Sequence, residues 1–344
     1  MAVSSNSTLS IPARVTVFLG PPSVVILTAL ASPKTGLIAP LAFLPTAYAY
    51  KTWHALNKIN PSRRAKLEPL VWTYVLSGTL GLVSVGVIQL VVCKAVAALL
   101  FRSGSISESE FWTEFGRRTF ADLTDAESVK RLQIAASWKN WVFNAALSFV
   151  AAGFGEEVLK YLPIAYARRL NLASTSSTDD ATKKTQTRIY LDYALASALS
   201  FSLIENIGFI YECAESGGES WQQLVISVFE RIFVAGAAHV SVATLTALRA
   251  TRRDYYGEKF LGGWLGVIWP AVLFHGTFNF VCFGASALEG NVGWVHPKSF
   301  GVTAGLIGIC TGIVSSAAWL AKREWNSLEK LNRDVKDASD KRQS

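Results

Sequence analysis

Two adjacent glutamates and a lysine, Glu156, Glu157 and Lys160, occur in the otherwise apolar stretch GEEVLKYLP. Glu156 and Lys160 are four residues apart, so on a helix they share one face and suit an ion pair. Glu157 points about 100° away on the same helix, which predicts a separate, supporting role for it. Since an ionisable group in a bilayer core costs roughly 3 kcal/mol, each of these residues needs a structural or functional reason.

Further polar residues follow in the next three apolar segments. They are Glu205 with Asn206 in FSLIENIGF, His239 in AGAAHVSVATL, and His275 with Asn279 in FHGTFNF. Four residues separate His275 from Asn279, so both face one cavity if the segment is helical. Phe201 and Glu205 repeat that spacing. Small residues precede Glu156 and His239, which predicts that these residues lie at helix–helix contacts.

Together these residue types can activate water. A desolvated carboxylate is a stronger general base near neutral pH, and a histidine can position water or donate to a developing oxyanion. An asparagine amide can complete an oxyanion hole. The chemistry suits hydrolysis of a peptide bond. We favour a serine or cysteine nucleophile less, because no membrane-depth serine has a clear base partner and no cysteine adjoins a histidine in the sequence.

The elements that must position these residues are long apolar segments. The chain has 344 residues, of which 51% are hydrophobic and only 17% are charged, a composition typical of a polytopic helical membrane protein. The predicted spans are 15–32, 36–50, 69–101, 140–167, 189–212, 222–249, 262–284 and 299–321. Counted along these spans, Glu156 falls in the cytoplasmic half, whereas Glu205 and His239 fall in the outer half.

Basic residues set the predicted topology. The loops 51–66, 168–188 and 250–259 and the C-terminal tail are rich in Lys and Arg, whereas 213–221 and 285–298 are almost free of them. This alternation predicts a multi-pass protein with both termini in the cytoplasm. It also accounts for the net charge of +8, so the bilayer is the expected surroundings and no nucleic-acid partner is expected.

Other polar residues are interpreted as peripheral. Glu230 and Arg231 fall near the outer end of their span and are expected to be interfacial, and His296 lies in a connection with no predicted role. Residues 102–139 mix both signs of charge with aromatic residues. They predict either an interfacial amphipathic helix or a solvated loop.

The set "EEVLK", "FSLIE", His239 and "HGTFN" resembles the PrsW family of membrane-embedded proteases, within the superfamily of CAAX prenyl endopeptidases and bacteriocin-processing enzymes. The resemblance covers roughly 140–285. It implies that Glu156 is the general base with Glu157 in support, and that His275 and Asn279 stabilise the oxyanion. Glu205 replaces the histidine of the CAAX second motif, and His239 is inferred to take over its task. This departure argues against prenylated substrates.

The predicted architecture is therefore all-α, with about eight transmembrane helices around a core like that of the PrsW and CAAX proteases. Residues 1–135 hold N-terminal membrane helices and the mixed-charge extramembrane segment, 136–322 the catalytic core, and 323–344 a basic cytoplasmic tail. The expected activity is that of an intramembrane endopeptidase on a membrane-associated protein. Glu156, Glu157, His275, Asn279, His239 and Glu205 are the catalytic candidates, and Lys160, Phe201 and Asn206 support them.

Two alternatives remain open. The leading hypothesis needs no cofactor and no metal, but glutamate and histidine are also zinc ligands, so a zinc-dependent intramembrane protease is one alternative. The other is a non-enzymatic transporter or peptide-binding scaffold, since intramembrane Glu and His also serve proton relays.

Overall fold

The computed structural model describes residues 9–59, 64–117, 123–172, 180–215, 221–260 and 262–343, and every regular element within them is helical. The predicted all-α class is thereby confirmed. The α-helices are α1 (Ile11–Ala31), α2 (Pro33–Ala42), α3 (Leu44–Ile59), α4 (Leu67–Leu76), α5 (Leu82–Leu100), α6 (Glu108–Phe115), α7 (Asp125–Ala136), α8 (Trp138–Ala146), α9 (Gly155–Leu172), α10 (Asp180–Glu215), α11 (Trp221–Phe229), α12 (Gly236–Tyr256), α13 (Trp264–Leu288) and α14 (Phe300–Gln343).

Seven helical stretches in the described residues are long and apolar enough to cross a membrane. They are Ile11–Ala31, Leu67–Leu100, Trp138–Leu170, Lys183–Glu215, Trp221–Tyr256, Trp264–Leu288 and Phe300–Arg333. The predicted span 36–50 is instead divided between α2 and α3, because Pro45 has no N–H to donate to Leu41. Their 10 and 16 residues, with Phe43 between them, are about 40 Å long, enough for one further crossing of an apolar core of about 30 Å.

Within the described ranges, three π-helical segments join α-helices end to end. They are π1 (Ser77–Gly81), π2 (Leu147–Phe154) and π3 (Glu230–Ala235). Each adjoins a predicted site residue: π2 leads directly into Gly155 and Glu156, and π3 precedes the turn that carries His239. In π1, a Cβ added to Gly81 would lie 3.3 Å from the Phe201 ring. π-Helical turns are uncommon and occur frequently at functional sites.

Two glycines bring π2 and α13 into close contact. A Cβ on Gly153 would lie 2.9 Å from the Ser148 carbonyl and 3.1 Å from that of Val272, and one on Gly276 would overlap the Phe149 ring. Only residues without a side chain permit this approach of two backbones. Because Gly276 follows His275 directly, the contact places that histidine beside the start of α9.

The helices that carry the predicted site residues are mutual neighbours. α10 packs against α9 and α12, and α12 packs against α13 and α14. Buried side chains from α9, α10, α12 and α13 form one core, which includes Tyr161, Ile164, Tyr190, Ala247 and Ile268. A second core joins α13 to α14 through Phe278, Leu306 and Cys310. The α14 helix continues without a break past the predicted boundary at 322.

The described part of 102–139 forms two short helices, α6 and α7, and is not a solvated loop. Phe111 is fully buried and stacks on Phe101 with ring centroids 4.2 Å apart. Arg131 donates to Glu114 at 3.0 Å and to the Asn291 side chain at 3.0 Å. These contacts hold α6 and α7 against the α13–α14 connection.

Candidate active site

Lys160 lies at the centre of a buried polar cluster. Its Nζ donates to Glu156 Oε2 at 3.1 Å, to Glu157 Oε1 at 2.9 Å and to His239 Nδ1 at 2.9 Å. The Phe201 ring lies 5.3 Å from Nζ. The prediction that Glu157 stands apart from the Glu156–Lys160 pair is wrong in this respect. The flexible lysine reaches carboxylates at both the i−4 and i−3 positions.

His275 joins the same cluster from α13. Its Nδ1 lies 2.8 Å from Glu157 Oε1, and its Nε2 lies 3.6 Å from Glu156 Oε2. Because an ionised carboxylate only accepts hydrogen bonds, Nδ1 is the donor and Nε2 faces Glu156. The His275 and His239 rings are 5.4 Å apart and nearly perpendicular. The difference in depth that the sequence predicted for Glu156 is therefore absent, since π2 and the glycine contact bring α9 to the level of His275.

Glu205 lies at the edge of the cluster, between Arg231 and His239. Its Oε1 accepts from Arg231 Nη2 at 3.0 Å, and its Oε2 lies 2.9 Å from His239 Nε2. That second approach is short but misaligned, so Oε2 is buried without a hydrogen-bond partner. Arg231 also donates to Asn206 Oδ1 at 3.2 Å and stacks on Phe209 at 3.9 Å. The arginine is thus fixed by three neighbours from α10.

The interfacial placement of Glu230 and Arg231 is wrong. Their exposed fractions are 2% and 6%, and Glu230 Oε2 lies 3.1 Å from Nε2 of His296, which is itself buried. The α13–α14 connection folds back over π3 and covers Glu230, while α10 covers Arg231. Helix counting does not reveal these long-range contacts. The sequence did contain a signal for this burial: Glu230 and Arg231 are an adjacent acid and base inside an apolar segment. Charged residues in such a segment are expected to contact buried polar partners and not lipid.

A cavity of about 390 Å³, counting the space that opens to the outside, lies beside the cluster. Its polar side chains are Glu205, Arg231, His239, His275 and Asn279, and its apolar ones are Ala235, Ala238, Val242, Phe274, Phe278, Ile313, Val314 and Ala317. Asn279 is half-buried, and no hydrogen bond to its amide is found within the described ranges. The amide is therefore available to a ligand in the cavity.

Three residues of the cluster also fit a metal ion. Glu156, Glu205 and His239 each offer one ligand atom, and these atoms lie within 4.8 Å of one another. Two carboxylates and an imidazole are a donor set that suits zinc, with a position left for water. The unpartnered Oε2 of Glu205 is a further reason for the fit. Lys160 already contacts Glu156 and His239, so a metal ion would compete with its ammonium group.

Comparison with known proteins adds one match. A family model described as the PrsW family intramembrane metalloprotease matches residues 69–303. This range holds more than half of the chain and all the polar residues of the cluster, and it ends before Ile313, Val314 and Ala317. No curated protein and no solved structure matches the chain.

Proposed function

The chain belongs to the PrsW family of intramembrane metalloproteases, and from this premise we propose that Glu156 activates the water that hydrolyses a peptide bond of a membrane-associated protein. The observation that carries the proposal is the buried convergence of Glu156, Glu157, His239 and His275 around Lys160. The seven candidate spans support a multi-pass protein, so the substrate meets this site within or beside the bilayer.

Glu156 is suited to the role of general base. Its Oε2 is engaged by Lys160, whereas its Oε1 has only a long contact, 3.5 Å to Gln89 Nε2, among the described residues. Oε1 is therefore the oxygen that is free to accept a proton from water. A positioned general base contributes typically about 10²–10⁴-fold to a rate.

Glu157 serves His275 and does not itself act on water. It accepts from His275 Nδ1, which fixes the tautomer and orients Nε2 toward Glu156 and the cavity. A carboxylate in this position also stabilises the imidazolium that forms when Nε2 gains a proton. His275 and the free amide of Asn279, one helical turn apart on α13, then stabilise the oxyanion of the attacked carbonyl.

His239 and Glu205 lie on the other side of the position proposed for the water, across from Glu156 and His275. Lys160 donates to His239 Nδ1, so Nε2 carries the proton and points toward Glu205. A divalent metal held by Glu156, Glu205 and His239 would require an unprotonated ring nitrogen on His239, and therefore release of His239 by Lys160 or a change of tautomer. It would polarise the scissile carbonyl and make its bound water a better nucleophile. This metal-dependent reaction is the second candidate, and the unpartnered Oε2 of Glu205 is the observation that favours it.

The substitution Glu156→Gln tests the proposal. We expect it to abolish cleavage of transmembrane peptides by the purified protein in lipid nanodiscs, because the amide cannot accept the proton from water. Glu329→Gln is the matched control, since Glu329 is exposed on α14 and its bond from Trp325 can be kept by glutamine. Full activity in Glu156→Gln, with unchanged folding by circular dichroism, would contradict the proposal.

Metal removal separates the two candidates. If the metal-dependent reaction operates, the wild type holds about one divalent ion per chain, and Glu205→Gln and His239→Gln lower that content, because each removes a ligand. Elemental analysis of the purified variants measures this, with Glu329→Gln again as the control. Activity that persists in a chelator, in protein with no bound divalent metal, would exclude the metal-dependent reaction and leave water activation to Glu156 alone.

A further inference from the structure

The cavity beside the cluster has two chemically different walls. Its polar wall comes from α10, π3, α12 and α13, which carry Glu205, His239, His275 and Asn279, and the proposed base Glu156 on α9 adjoins His275. The α14 helix contributes Ile313, Val314 and Ala317 and no polar group. A peptide whose carbonyl lies at His275 and Asn279 would therefore meet water-activating groups on one side and hydrocarbon on the other.

The α14 wall is formed by one face of a helix. Ala317 is four residues from Ile313 and three from Val314, so the three side chains lie on one face of the helix. Ala317 is 1% exposed, whereas the neighbouring Ala318, about 100° further around the helix, is exposed. All three wall residues lie beyond residue 303, where the family match ends. The residues proposed for chemistry and those of this wall thus belong to separate stretches of the chain.

Small residues make room along the apolar wall. Ala235, Ala238 and Ala317 line the cavity beside the larger Phe274 and Phe278, so short side chains leave space next to the aromatic rings. Phe274 and Phe278 lie on the same helix as Asn279. A carbonyl carbon and the side chain of its own residue are separated by one Cα, so a carbonyl bound at Asn279 has that side chain within reach of this apolar space.

We propose that Ile313, Val314 and Ala317 form a subsite for a bulky apolar side chain on the acyl side of the bond that is cut. The substrate class is then a membrane protein with a residue such as leucine or phenylalanine at that position. This inference rests on the proposed function. An apolar pocket discriminates by about 10–200-fold for each methylene group that it gains or loses, which sets the scale of the expected preference.

Peptide aldehydes test the subsite without requiring turnover. Their hydrated form has the tetrahedral geometry of an attacked carbonyl, and their last residue presents its side chain on the acyl side. The probes are N-acetyl-alanyl aldehydes that end in glycinal, alaninal, leucinal or phenylalaninal, titrated against the full chain in nanodiscs. We expect Kd to fall at least 10-fold from glycinal to phenylalaninal in the wild type.

The matched variants are Ala317→Leu and Ala318→Leu. We expect Ala317→Leu to abolish most of the preference for phenylalaninal, because it fills the cavity, and Ala318→Leu to leave it intact. If Ala317→Leu does not fold, Ile313→Ala decides, since the added space should favour phenylalaninal over leucinal relative to the wild type. Equal binding of all four probes to the wild type, or a preference that neither wall variant alters, would overturn the inference.

The same titration on Glu156→Gln distinguishes failure of the inference from failure of the proposed function. A side-chain preference that is the same in this variant and in the wild type, together with a wild type that hydrolyses no peptide, would support the subsite and refute the protease assignment. Hydrolysis that depends on Glu156 but shows no preference at the acyl side would refute the subsite alone.

Discussion

Arg231 is the least expected residue of the cluster. It pairs with Glu205 at 3.0 Å, bonds Asn206 and stacks on Phe209, and it is 6% exposed at the edge of the cavity. Removing one partner of a buried pair leaves an uncompensated charge, whereas removing both need not destabilise the fold. Arg231 therefore stabilises the ionised form of Glu205 on which the water site depends.

Substitution of this pair yields a non-additive prediction. We expect Arg231→Gln to destabilise the protein by about 3–5 kcal/mol, because Glu205, whose side chain is only 18% exposed, is left without its cation. Adding Glu205→Gln should restore most of the stability without restoring cleavage. Chemical unfolding in detergent and peptide cleavage measure the two effects, with Arg323→Gln on the exposed face of α14 as control. Two single substitutions whose destabilisations simply add would show that the pair is not coupled.

At the level of single residues, the sequence predicted most of the side chains that meet in the buried cluster. One polar group in each of four successive apolar segments indicated that Glu156, Glu205, His239 and His275 share a site, because isolated ionisable groups are not stable in lipid. Arg231 and His296 were not predicted. The burial of His296 depends on the fold of the α13–α14 connection over π3, and Arg231 is held by contacts with α10. Such long-range contacts leave no periodic pattern in the chain.

Among the elements, the contact between π2 and α13 is the one that brings Glu156 of α9 next to His275 of α13. Gly153 and Gly276 allow the backbones to meet one residue from His275 and three residues from Glu156. The lengths of the apolar segments predicted these helices. They did not predict π2, because the same residues are compatible with α-helical and π-helical turns, and only the packing of α13 decides between them.

The glycine contact can be tested by adding one methyl group. We expect Gly276→Ala to lower the cleavage rate by about 10²-fold, the effect of misplacing catalytic groups by about 1 Å, because the new Cβ overlaps the Phe149 ring and moves α13 away from α9. Phe149→Ala in the same chain should restore part of the rate by making room. Gly284→Ala, whose Cβ would meet Trp141 at an ordinary 3.4 Å, is the control. Unchanged cleavage in Gly276→Ala would show that the close approach is not needed.

Across the whole molecule, the number of crossings decides the orientation of the ends. Counting α2 and α3 as one crossing gives eight, an even number, and we propose that both termini are cytoplasmic, as the basic loops predict. The sequon Asn6-Ser7-Thr8 provides a natural reporter. It should remain unmodified in eukaryotic cells, since glycosylation occurs only on the lumenal side.

The matched reporter is Gly218→Asn, which creates the sequon Asn-Glu219-Ser220 in a connection predicted to be lumenal. We expect this variant to be glycosylated, because the connection lies on the side opposite to the termini, and a shift in electrophoretic mobility that a glycosidase reverses measures it. Modification of Asn6 in the wild type would place the N-terminus in the lumen and reduce the number of crossings to an odd one.

The length of α14 has a mechanical consequence. Its 44 residues extend about 66 Å, more than twice the apolar thickness of a bilayer of about 30 Å. The part of α14 that follows its apolar stretch is tied to α12, because Glu324 pairs with Arg249 and Arg252. Ile313 and Ala317 lie on the same unbroken helix, so ion pairs outside the apolar core also fix the position of the cavity's apolar wall.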